Sequence, residues 1–148
     1  ISYRLVGSEM CIRDSLKMYV QKLRSSNLRP TKQRLKICQF LFNREKTFHF
    51  TVEALNKKIN KDKDTKVSLA TIYNTVEAFT NAGYLKEILT SKNKSYYDTN
   101  IKSHHHFYDE GSKELTDIHY SQIKLSKVPV PPKGKKIKNL EVVIRIQK

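Results

Sequence analysis

The chain has 148 residues, room for one domain or for two small ones sharing a hinge. Its 29 Lys and Arg against 14 Asp and Glu give a formal charge of +15, which points to a polyanionic partner. No run of about 18 apolar residues is present to span a membrane. The basic residues are spread over several short helices instead of lying opposite an apolar face, which favours nucleic acid over a membrane surface.

No charged, then apolar, then small-residue secretion signal is legible, so a cytoplasmic protein is the default expectation. Cys11 and Cys38 are the only cysteines. Their spacing fits neither a disulfide framework nor a Cys-x-x-Cys zinc knot.

Residues 1–15 have no helical or strand period and resemble translated vector or adapter sequence. The expectation is a non-native or disordered leader, with a native start near Met10 or Met18. A first helix then follows Asp14–Ser15, with Leu16, Val20 and Leu23 on one side, and ends at Ser25–Asn27. Pro30 pushes the residue before it into an extended shape, and Thr31 can cap a second helix with Leu35, Cys38, Leu41 and Phe42 as its buried stripe. A third helix starts at Thr51 with Val52, Leu55 and Ile59 inward, and a Lys/Asp loop (60–66) leads on.

Residues 66–85 predict an amphipathic helix with both ends marked, Ser68 as N-cap and Gly83 as the left-handed stop. Leu69, Ile72, Val76 and Phe79 recur every three or four residues and should be core. The other face carries Thr71, Tyr73, Asn74 and Thr75, uncharged hydrogen bonders where a solvated helix would carry Glu and Lys. Such groups can meet base edges and phosphates in a major groove; a packed helix with a polar outside is the plainer reading. Three short helices before a polar-faced one make a helix-turn-helix. The strand-like runs Leu85–Leu89 and Ser95–Thr99, around a Lys/Asn/Ser turn, make its wing. Lys17–Lys66 holds fourteen basic and four acidic residues, so the charge excess lies within the proposed DNA reader.

Beyond residue 100 the pattern changes to short strands at His104–Tyr108, Leu115–Tyr120 and Leu140–Ile146, with a Pro/Lys connector over 128–136. The last is apolar enough for the inside of a sheet or a dimer seam. The fold class is therefore α/β (α+β): a winged helix-turn-helix over 16–99 followed by a small α/β dimerisation and effector-sensing domain over 100–148. On a strand, His104 and His106 point to one face ~7 Å apart and His105 to the other. Imidazoles ligate zinc and iron, and Asp98 and Asp117 can add oxygen ligands; three exposed histidines in a basic turn is the bland alternative. His119 is expected at the surface. No nucleophile, phosphate loop or His-Glu-x-x-His helix suggests an enzyme.

LRPTKQRL, FHFTVEALNKKI, SLATIYNTVEAFTNAGYL, SYYDT and HHH, in this order over residues 24–119, resemble the ferric uptake regulator family of metal-responsive transcription factors. Within it, His104–His106, the DTN at 98–100 and VPVPPKG resemble the iron response regulator branch, whose members sense haem. The resemblance implies a recognition helix presenting Thr71, Tyr73 and Asn74 to double-stranded DNA. It also implies a homodimer on an A·T-rich operator, with Arg29 in a minor groove of enhanced negative potential. It matches His49, Asp98, His105 and Asp117 to metal-ligand positions, and His104 to a neighbouring second site. Haem on His104, His105 and His106 is the implied effector, lowering operator affinity, with Fe, Mn or Zn as the alternative and a non-specific nucleic-acid binder as a further one. The family's cysteine pairs are missing, Glu110 and Lys113 standing where the first would fall, so no Cys-ligated structural zinc is expected. Neither cysteine precedes Pro, which leaves haem to the His triplet. A ligand bridging His49, Asp98 and the triplet would set the angle between the two readers of a dimer.

Overall fold

The structure is a computed structural model in which residues 13–90 and 93–148 are described with their side chains and 2–12 by backbone alone. The chain divides into two compact units, 1–101 and 102–148. The division falls after Ile101, whereas the strand pattern alone suggests a change after Thr99.

Helix α1, Ser2–Ser25, starts before Asp14–Ser15, where the sequence pattern places its beginning. The side-chain readings for most of residues 1–15 lie outside the described residues. Its inner face also differs from the expected one. Tyr19 and Leu23 are buried, whereas Leu16 is exposed and Val20 half-buried. The ring of Tyr19 has more apolar area to remove from water, and it takes the inner position. Asn27, at φ 58°, ends the helix, with Leu28 N–H donating back to Leu23 O at 2.8 Å.

Helix α2 spans Lys32–Phe42, and its cap Thr31 accepts from Arg34 N–H. Ile37 joins Cys38 and Leu41 in the buried stripe, while Leu35 and Phe42 pack partly buried against it. Helix α3, Val52–Ile59, is capped by Thr51 and buries Val52, Leu55 and Ile59 as the spacing predicts. The loop that follows is closed by one side chain. Asn60 donates to Val67 O at 2.9 Å and accepts from Val67 N–H at 2.7 Å, mimicking a backbone pair where no strand exists.

Helix α4, Leu69–Asn81, is capped by Ser68 and buries Ile72, Val76 and Phe79. Two positions depart from expectation. Leu69 is exposed, because as the first helical residue it lies on the outer side of the opening turn. Thr75 is wholly buried instead of facing outward. It lies beside the 72–76–79 stripe, and its hydroxyl donates to Thr71 O at 2.7 Å, which satisfies the polar group inside the core. Gly83 at φ 86° turns the chain out of the helix. Gly83 N–H donates to Thr80 O and Tyr84 N–H to Phe79 O, and the Tyr84 and Phe79 rings meet edge-on at 6.0 Å, completing a Schellman stop.

Strands β1 (His49–Phe50), β2 (Lys86–Leu89) and β3 (Ser95–Asp98) form an antiparallel sheet in the order β1-β3-β2. β2 and β3 are the wing. β1 is too short to show a period of two in the sequence, yet it sets His49 opposite Asp98.

In the second unit β4 (His104–Asp109) lies between antiparallel β5 (Leu115–His119) and parallel β6 (Val143–Ile146). The apolar last strand therefore starts at Val143, not Leu140, and is a sheet edge with Ile144 and Ile146 exposed. One 3-10 turn, Tyr120–Gln122, follows β5. The chain is thus a mixed α/β protein, a winged helix-turn-helix followed by a small domain. Among the described residues no helix is long and apolar enough to cross a membrane.

A Cβ built on Gly83 meets nothing within 4 Å, so only the backbone conformation resists substitution. Gly83→Ala should cost about 1–2 kcal/mol, read as a lower urea midpoint at unchanged slope, and Gly83→Asn should cost less. Equal stability of Gly83→Ala and wild type would contradict the left-handed assignment.

Candidate functional site

In the first unit the α4 surface carries Thr71, Tyr73 and Asn74, half-exposed or exposed. Tyr73 is 44% exposed, although an aromatic ring of that size is normally drawn inward. Its hydroxyl donates to Glu53 Oε1 at 2.6 Å. That bond holds the Glu53 carboxyl below its usual range and pushes the Tyr73 phenol up. Both residues line a cleft of about 560 Å³ with Thr51, Lys94 and Tyr97, so α4 and the wing share one polar surface. Thr71 lines a second groove, of about 410 Å³, with Thr31, Gln33 and Arg34 of the α2 N-terminus. Arg29 is exposed in the loop before α2, its carbonyl accepting from Arg34 Nη1 at 2.8 Å. Glu53 was not singled out by sequence reasoning; the one available signal was an isolated acid at the start of a basic helix.

At the end of the wing, His49 Nε2 lies 3.2 Å from Asp98 Oδ2. Asp98 is buried, and its other oxygen accepts from Asn100 N–H at 2.8 Å. The cross-strand register of β1 and β3 makes this pair.

In the second unit, alternation along β4 separates the three histidines. His104 and His106 share a face, their rings 4.4 Å apart between centroids. Asp117 stands directly across from His106 on β5, and cross-strand partners point to the same side. His104 Nε2 and His106 Nε2 both converge on Asp117 Oδ1, at 3.3 and 3.2 Å.

The opposite ring nitrogens each meet an acceptor. His104 Nδ1 is 2.6 Å from Lys102 O, and His106 Nδ1 is 2.6 Å from Glu141 Oε1. A carbonyl and a carboxylate can only accept, so both Nδ1 atoms carry hydrogen; each Nε2 faces a carboxylate oxygen, a contact that either a hydrogen on Nε2 or a cation lying between would satisfy. His105 points to the other face, where its Nδ1 accepts from Val142 N–H at 3.0 Å, so it does not join the His104–His106–Asp117 group. His119 is exposed and bonded to Ser121. Glu141 is the residue here that sequence reasoning missed, because 35 residues separate it from His106.

Two buried imidazoles and a carboxylate form a nitrogen/oxygen donor set of the kind Zn²⁺, Fe²⁺ and Mn²⁺ accept. Imidazoles anchored at their second nitrogen are the usual arrangement around such ions. Thiolate ligation by Cys38 is not in play: the residue is wholly buried, and burial pushes its thiol up to about 12.

A winged helix-turn-helix followed by a small domain with a metal-type donor set defines the class, a DNA-binding regulator. The ferric uptake regulator family model matches residues 25–145, and the chain belongs to that family. It is 30% identical over 104 residues to the peroxide-responsive repressor PerR of Staphylococcus epidermidis, covering 70% of this chain and 67% of that one. The Staphylococcus aureus PerR is 29% identical over 112 residues, 76% of this chain and 74% of its own. The fold resembles the ferric uptake regulator of Pseudomonas aeruginosa with manganese, at a TM-score of 0.66, 23% identity, and 88% and 97% coverage of the two chains. It also resembles that of Francisella tularensis with iron, at a TM-score of 0.65, 18% identity, and 82% and 92% coverage.

Proposed function

We propose that this protein is a transcriptional repressor whose operator affinity is set by a divalent metal held on His104, His106 and Asp117 of the second unit; His49 and Asp98 form a donor pair of their own within the first. The observation that carries the reading is the convergence of two buried Nε2 atoms on one Asp117 oxygen. The peroxide-responsive relatives and the manganese- and iron-loaded structures of the same fold support it. When bound, the metal supplies a fixed charge that gathers these side chains into one geometry. The chain's own residues do the rest: Lys102 O and Glu141 hold the rings in place, and the β4–β5 register delivers Asp117.

Haem, implied by the branch resemblance, is the second reading. A porphyrin needs a broad apolar slot beside one ligating ring, whereas His104 and His106 stand 4.4 Å apart around a carboxylate, a spacing suited to a small ion. Titration of the purified protein with Mn²⁺, Zn²⁺, Fe²⁺ and haem, with DNA affinity read by fluorescence anisotropy, separates the two. The ions should raise operator affinity, and His104→Ala/His106→Ala should abolish that response. A haem absorbance spectrum lost in His104→Ala/His105→Ala/His106→Ala, with no response to ions, would establish the haem reading instead.

Sequence reading is assigned to Thr71, Tyr73 and Asn74 in the major groove and to Arg29 in an A·T-rich minor groove. Tyr73→Ala should cost about 1–3 kcal/mol on an operator selected from random DNA and almost nothing on random duplex. Arg29→Ala should be felt most with A·T-rich flanks. Equal losses on operator and random DNA would reduce these residues to phosphate contacts.

A homodimer through the second unit completes the proposal, since one short recognition helix reads only a few base pairs. The exposed edge strand β6 and its Ile144 and Ile146 support it. Ile144→Glu/Ile146→Glu should sediment as a monomer and wild type as a dimer; a variant that stays dimeric moves the interface elsewhere.

A further inference from the structure

Glu141 precedes β6 by two residues and belongs to no strand itself. Three bonds fasten this short stretch to the histidine strand. Its carboxylate takes His106 Nδ1–H at 2.6 Å, Val142 O accepts from His106 N–H at 3.1 Å, and Val142 N–H donates to His105 Nδ1 at 3.0 Å. His104 is anchored differently. Its Nδ1 acceptor, Lys102 O, lies two residues away in the same stretch of chain, whereas the Nδ1 bond of His106 reaches a segment 35 residues further on.

We infer that Glu141 is a positioning residue: it keeps a hydrogen on His106 Nδ1 and turns Nε2 toward Asp117, and so links metal binding to the docking of β6. This deepens the metal reading and rests on it. A charged acceptor orients the ring and makes Nε2 a stronger donor, and loss of such a partner commonly weakens metal affinity 10–100-fold. Linkage requires the converse: whatever the docked strand adds to metal affinity, bound metal returns to the docked strand. A purely structural salt bridge would hold β6 equally with and without metal.

The test uses the full chain as wild type, Glu141→Ala and Glu141→Gln, with zinc as the probe. Long-range ¹⁵N–¹H NMR of the metal-free protein should report a hydrogen on His106 Nδ1 in wild type and in Glu141→Gln, whose amide oxygen still accepts. Glu141→Ala should show mixed tautomers. Zinc affinity should fall about 10–100-fold in Glu141→Ala and by less in Glu141→Gln, which keeps the acceptor but not its charge. Zinc should slow hydrogen exchange at the β6 amides in wild type and not in Glu141→Ala. An Nε2–H tautomer in wild type, or wild-type zinc affinity in a folded Glu141→Ala, would overturn the assignment. Wild type that binds no zinc while His106 still reads Nδ1–H would overturn the metal reading, and the coupling with it.

Discussion

The second unit is organised by the pairing of β4 with β5, which sets His106 across from Asp117. Because successive side chains on a strand point to opposite faces, a slip of one residue would bring His105 to the carboxylate and send His104 and His106 away. Nothing in three consecutive histidines chooses between these outcomes. The choice is made by Ile118, buried across from His105, and by Tyr108, buried on the face of His104 and His106. Apolar burial thus fixes the register, and the register brings together groups that would otherwise be costly to bury.

His106 shows how that cost is met. A wholly buried imidazole needs a partner at each nitrogen, and it has Asp117 at one and Glu141 at the other. The two contacts differ in setting. Asp117 is 40% exposed, while Glu141 is mostly covered and holds the ring from behind.

The first unit presents the complementary case of a scaffold fixed by hydrogen bonds that leaves an uncharged polar face outside. Schellman stops after α1 and α4 and the Asn60 clamp fix the helix ends by hydrogen bonds, leaving Tyr73 and Asn74 outside without a share in the core. The Glu53 bond fixes the Tyr73 hydroxyl on the exposed face of α4.

Helix caps, turn glycines and the 3.6-residue period are local properties, so Thr31, Thr51, Ser68, Gly83 and the stripe Ile72–Val76–Phe79 were legible in the sequence. So was the separation of His105 from His104 and His106, which needs only the two-residue period of a strand. The inward turn of Tyr19 and Thr75 was not, because each lies next to a stripe and only the neighbouring helices decide which flank is covered. The strand at His49–Phe50 was too short to carry a period. Glu141 was least accessible of all: residues 35 apart meet only when β6 docks parallel to β4, and no periodicity spans that distance. The sequence by itself determined which residues could form helices, strands and ligands. The tertiary structure alone decided which of them meet, because pairing between distant strands is chosen by the total surface buried and not by any local signal.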